Sequence, residues 1–142
     1  MAINLLGEMQ AIDSSLADGC VCLVGTADAN GQPQISPKGS VLVLDATHLA
    51  YWERSGRAAA ANVQANPRVV VYYRNTTKSE RLPRGAVWRF FGKARVVASG
   101  PERDAVWAKV VPAEQEKDPN RAGAAVIVEV TKVTDLAKVI QE

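Results

Sequence analysis

Hydrophobic and polar positions change period several times along the chain. In "NLLGEMQAIDSSLADG" the apolar residues Leu5, Met9, Ile12 and Leu16 recur at helical spacing, which predicts an amphipathic helix over about 4–17, with Gly19 placed to stop it. "CVCLVGTADANGQPQISPKG" follows with an apolar run of strand length, an Asn30-Gly31 turn signal and a second extended segment ending at Pro37; together these read as a hairpin. "SVLVLDATHLAYWE" repeats the pattern, with a strand at about 40–44, a turn over Asp45 to Thr47 and a strand at about 48–53. The alanine-rich "RAAAANVQANPR" stops at Asn66-Pro67 and predicts a short helix whose first turn lies at Ser55, Gly56 or Arg57.

"RVVVYYRN" is a β-branched and aromatic strand, and after the polar loop "TTKSERLPRG" the run "AVWRFFGKARVVAS" alternates with period two. One face carries Trp88, Phe90, Gly92, Ala94 and Val96, the other Arg89, Phe91, Lys93 and Arg95. Gly92 in mid-strand points to a bulge or a sharp corner. Ser99, Pro101 and Glu102 read as a capping-box start for the helix "PERDAVWAKVV", and "GAAVIVEVTKV" closes the sheet. Antiparallel hairpins interrupted by few helices predict a mainly β chain, a small barrel with peripheral helices, in place of a doubly wound parallel sheet.

The length of 142 residues fits a single domain over 1–142, long enough to bury a sizeable core. With 47% hydrophobic and 23% charged residues and a formal charge of +2, composition is that of an ordinary globular protein and does not point to a polyanionic partner. No apolar run reaches the roughly 18 residues of a membrane span, and "MAINLLGEMQ" lacks the pattern of a signal peptide, so the expectation is a cytoplasmic protein with no membrane partner. Cys20 and Cys22, with His48 the sole histidine, are too few for a tetrahedral zinc site and read as buried free thiols, with no metal expected.

Candidate chemistry is sparse. There is no Gly-x-Ser-x-Gly elbow, Walker loop or Gly-x-Gly-x-x-Gly fingerprint, and His48 falls in or beside a turn. Arg74, Lys78, Arg81 and Arg84 beside Trp88, Phe90 and Phe91 permit an RNA-binding reading, weakened by Glu80, by the small net charge and by the core-like alternation of the aromatics. Lys38, between Pro37 and Gly39, and Ser55 and Arg57, at an expected helix start, bring two cations and a hydroxyl to turns where an anion such as phosphate could be held.

Four stretches, "GTADANGQPQISPKGS", "LAYWERSGR", "NVQANPRVVVYY" and "FFGKARV", resemble in order and spacing the pyridoxamine 5'-phosphate oxidase-like family of FMN-binding split barrels, over about 16–130. The resemblance implies a six-stranded antiparallel split β-barrel that forms a homodimer, with one FMN in each of two clefts at the subunit interface. It places the flavin phosphate at Lys38, Ser55 and Arg57, the pyrimidine edge of the ring along Gly39, Ser40 and Val41, Trp52 and Glu53 beside the cofactor, and Arg89 on the strand that approaches the flavin. Where the oxidase has an Arg-Lys pair before its helix, "SGRAAAAN" has one arginine. The substrate-binding Arg and His of the oxidase's C-terminal segment have no counterpart in "LAKVIQE". The resemblance thus implies an FMN-dependent oxidoreductase of unknown substrate, with a deazaflavin or haem as alternative cofactors. A non-catalytic flavin-binding or electron-transfer protein on the same fold is the alternative function.

Overall fold

A computed structural model describes residues 1–54 and 58–142. Its strands are β1 (Cys22–Ala27), β2 (Pro33–Lys38), β3 (Leu42–Val43), β4 (His48–Glu53), β5 (Arg68–Asn75), β6 (Ala86–Val97), β7 (Ala124–Thr134) and β8 (Val139–Gln141); its α-helices are α1 (Ala58–Ala65), α2 (Pro101–Lys109) and α3 (Pro112–Gln115). All strands join one antiparallel sheet in the order β2-β1-β5-β6-β7-β4-β3, with β8 beside β7. The six long strands are those of a split barrel; β3 and β8 are additions of 2 and 3 residues.

The β1–β2 hairpin turns where expected. Asp28 Oδ1 accepts the Asn30 and Gln32 amides at 2.8 and 2.9 Å, and Gly31 takes φ 85°, a conformation that costs a β-carbon-bearing residue dearly. Strand β6 alternates as its sequence does, with Trp88, Phe90, Gly92 and Ala94 buried and Arg89 and Phe91 half-buried on the other face. At Gly92 the β6–β7 register slips, Phe91 pairing with Lys132 and Gly92 with Val130, so Thr131 is the extra residue of a bulge. A Cβ at Gly92 would overlap the Glu129 carbonyl. The glycine is required by the close approach of two backbones.

Several expectations are corrected. In place of a helix over 4–17 the N-terminal segment forms one 3₁₀ helix, Glu8–Ser14. Gly7, at φ 92°, sits immediately before it, and its amide is held by the Gln10 side chain at 2.9 Å. The apolar spacing still places Leu5, Met9 and Ile12 in the core. Helix α2 is entered through Gly100 at φ 97°, with Pro101 as its first helical residue and no side-chain cap, so Ser99 lies outside the cap position. The strand expected over 40–44 is ladder-paired only at Leu42–Val43.

The main core fills the inside of the curved sheet with residues such as Val24, Tyr51, Val71, Tyr73, Phe90 and Val128. A second core, on the other face of β4 and β7, joins Ala50, Trp52, Ala125 and Ile127 to Val106 and Val110. Strand β4 is therefore buried on both faces, which explains its nearly unbroken apolar sequence. Cys22 is buried and free and Cys20 half-buried; burial pushes the Cys22 thiol up to about 12. No described helix is long and apolar enough to cross a membrane.

Candidate functional site

Strands β2 and β4 lie far apart in the sheet order, yet their C-terminal ends meet. Lys38, the last residue of β2, places its Nζ 3.0 Å from Glu53 Oε1 and 2.9 Å from Oε2, at the last residue of β4. Their side chains are only 17% and 7% exposed, so each charge depends on the other for compensation. Two residues on, the Ser40 hydroxyl accepts the Trp52 amide at 3.0 Å and donates to the Trp52 carbonyl at 3.3 Å. Lys38 Nζ also stands 5.8 Å from the Tyr51 ring, and burial, assisted by the charge of Glu53, raises the Tyr51 phenol.

At this seam is a small pocket of about 50 Å³ lined by Pro37, Lys38, Ser40, Trp52, Arg54 and Glu114. Arg54 is exposed at its edge, and Glu114, on α3, is 9% exposed. Glu114 Oε2 lies 3.0 Å from Lys117 Nζ, while Oε1 lies over Gly39, close enough that a Cβ there would overlap it.

Trp52 forms the pocket's deeper wall and is held from behind. Its indole N–H donates to Asp118 Oδ2 at 2.8 Å, Arg103 covers its ring at 4.9 Å, and Trp107 packs on it at 4.7 Å between centroids. Asp118 also accepts the Gly123 amide at 2.8 Å and the Ala122 amide at 3.0 Å. Burial works to raise the Asp118 carboxyl, but these hydrogen bonds from Trp52, Gly123 and Ala122, with the charge of Arg103 nearby, hold it below the usual carboxylate range.

The structure thus brings Lys38, Gly39, Ser40, Trp52 and Glu53 together at one seam. Val41, 2% exposed, belongs to the main core. Ser55 and Arg57 lie outside the described residues. Arg89 is not at the seam. Lys38 pairs with Cys22 on the inner face, whereas Arg89 pairs with Tyr72, which pairs with Leu23, on the outer one; directly opposed residues share a face. There its guanidinium lies 5.7 Å from the Tyr72 ring and donates to the Asp135 carbonyl at 3.5 Å. Beyond it a groove of about 740 Å³ runs past Met9, Thr76, Arg84, Val87 and Leu136. Sequence reasoning missed Arg54, Glu114 and Asp118. Arg54 lies within the "WERSGR" stretch, and Asp118 opens the turn signal "DPN", but nothing local marks Glu114.

The antiparallel half-barrel sheet is the fold of the pyridoxamine 5'-phosphate oxidase split barrels. Residues 9–135 match the family model described as pyridoxamine 5'-phosphate oxidase, and the chain belongs to that family. Its fold resembles a candidate pyridoxamine 5'-phosphate oxidase of Lactobacillus delbrueckii (27% identity, 91% of this chain and 93% of that one, TM-score 0.64). It also resembles an FMN-binding protein of Syntrophomonas wolfei (12%, 92% and 88%, TM-score 0.68) and a heme-binding protein of Mycobacterium smegmatis (15%, 94% and 56%, TM-score 0.66). A comparison with curated proteins gives no match.

Proposed function

We propose that the protein is a homodimeric FMN-dependent oxidoreductase that holds the phosphate end of the cofactor in the seam pocket. The observation that carries this reading is the coincidence of family and geometry: the pocket is lined by Lys38, which the resemblance places at the phosphate, and by Ser40 and Trp52, which it places elsewhere along the cofactor. Its small size, about 50 Å³, suits a group such as a phosphate, not a ring system. Arg54 supplies a cation, and Lys38, held in its ion pair with Glu53, can still offer an N–H donor to an anion; Ser55 and Arg57 would extend the set. Ser40, already bonded both ways to Trp52, keeps the strands in register and leaves the ligand to backbone and cations. Bound flavin would supply hydride exchange at N5; the chain contributes position and electrostatics.

The rings would lie outside the pocket, against a surface completed by a second copy. Leu23, Ile35, Val70, Tyr72 and Phe91 share the outer sheet face with Arg89, and Ile35 is 70% exposed. Such an apolar face favours association, and Arg89 would then reach a cofactor shared with the partner. The RNA-binding reading is disfavoured by Trp88 and Phe90, which are buried, and by Arg81, paired with Asp18 at 2.7 Å.

The test is titration of purified protein with FMN and with hemin, followed by visible absorption and by sedimentation. One FMN per chain on a dimer supports the proposal. Hemin binding with no FMN binding overturns it in favour of a haem protein, and FMN binding without turnover of any reduced nicotinamide donor favours the non-catalytic alternative.

A further inference from the structure

We infer that Glu114 is a built-in competitor for the ligand's anionic group and sets how strongly the seam pocket discriminates a phosphorylated ligand from its unphosphorylated counterpart. The inference rests on the anion-pocket reading above. Three observations carry it. The Glu114 side chain is only 10% exposed, so its charge requires compensation, and the single ion pair it makes among the described residues is to Lys117, whose side chain is 45% exposed. That pair uses Oε2. The other oxygen faces Gly39, and Glu114 lines the pocket with Lys38 and Arg54.

The local charges explain the consequence. Lys38 is neutralised by Glu53 and Lys117 by Glu114, so Arg54 is the remaining cation among the described lining residues. A phosphate entering the pocket gains Arg54 but comes up against the Glu114 carboxylate in a poorly solvated space, where like charges repel strongly. A neutral hydroxyl in the same place meets no such repulsion and can donate to Oε1. Glu114 therefore weakens phosphate selectively, and Lys117 moderates that effect. The absent side chain at Gly39 is what gives the carboxylate its position.

Flavin fluorescence titration with FMN and with riboflavin tests this in the full-length protein, the readout being the ratio of the two dissociation constants. Glu114→Gln keeps the shape and removes the charge; FMN binding should tighten roughly tenfold, the ratio of affinities that 1.4 kcal/mol of relieved repulsion produces, with riboflavin unchanged. Lys117→Met, a surface change outside the pocket, should shift the ratio the opposite way by exposing the phosphate to an unmoderated carboxylate. It decides the matter alone should Glu114→Gln fail to fold. Arg54→Ala should weaken FMN and spare riboflavin. If Arg54→Ala does so while the Glu114 and Lys117 variants leave the ratio at its wild-type value, the role of Glu114 is refuted and the anion pocket stands. If none of the three moves the ratio, or neither flavin binds, the pocket reading falls and the inference with it.

Discussion

The most exposed of these readings to a stability measurement is the role of Asp118 in holding Trp52. Asp118→Ala removes the acceptor for the Trp52 indole and for the Gly123 and Ala122 amides. Trp52 is 3% exposed, so its N–H would be orphaned at about 1–3 kcal/mol, half-buried Gly123 would add about 1 kcal/mol, and exposed Ala122 would turn to water at little cost. The expected loss is about 3 kcal/mol, which in a domain of this size lowers Tm by about 10 °C. Asp118→Asn should cost less, about 1–2 kcal/mol, because its amide oxygen can still serve Trp52 and Gly123. The pH dependence gives an internal check. A carboxyl held below its ordinary value contributes stability that is present above the unfolded value, about 3.9, and is lost as pH falls through the folded one. Urea unfolding should thus show a constant gap between wild type and Asp118→Asn from pH 7 to 5, narrowing below about pH 4. An Asp118→Ala protein within about 0.5 kcal/mol of wild type at pH 7, a difference typical of inert surface changes, would refute the reasoning, as would a gap that widens in acid.

Gly92→Ala puts a methyl group into the Glu129 backbone and should cost about 2–3 kcal/mol by chemical denaturation, on the scale of core overpacking. Ile35→Lys places a charge on an exposed apolar position of the outer face; sedimentation should show the proposed dimer giving way to monomer while the monomer's thermal stability holds. Arg89→Leu removes a cation from the same face and should lower the flavin midpoint potential by tens of millivolts, about 30 mV for each 1.4 kcal/mol of a two-electron couple, with FMN affinity little changed. A redox titration giving equal midpoints for the two proteins would leave Arg89 as a structural partner of the Tyr72 ring and the Asp135 carbonyl.

What the sequence made legible was whatever is encoded by neighbours. Period two along 86–97 identifies the buried face of β6 and Asn30-Gly31 fixes a hairpin, because each rests on backbone geometry within a few residues; Gly92 in mid-strand signals the β6–β7 bulge, although the residue it approaches, Glu129, is distant in sequence. Local signals also misled. The helical spacing of Leu5, Met9 and Ile12 is satisfied equally by a 3₁₀ helix once Gly7 turns the chain, and Gly100 displaced Ser99 from the cap. At the site, resemblance led to Lys38, Ser40 and Trp52. The partners that define their electrostatics come from elsewhere: Trp52 and Asp118 are 66 residues apart, and Glu114 reaches Gly39 only after α2 and α3 have packed. No window of sequence contains such a meeting.

The ion pair between the ends of β2 and β4 also has a bearing on the order in which the chain assembles. Strands β1, β2, β5 and β6 pair among themselves, but β4 finds its long ladder only in β7, through contacts such as Trp52 with Ala125. During synthesis the first half of the sheet can therefore form while β4 still waits for its neighbour, and long-range pairing of this kind is slow. Lys38 meets Glu53 only when β7 has carried β4 into place. The pocket thus depends on the β4–β7 pairing, and an anionic ligand that bridges its walls would act as a latch, stabilising the finished chain against unfolding by mass action.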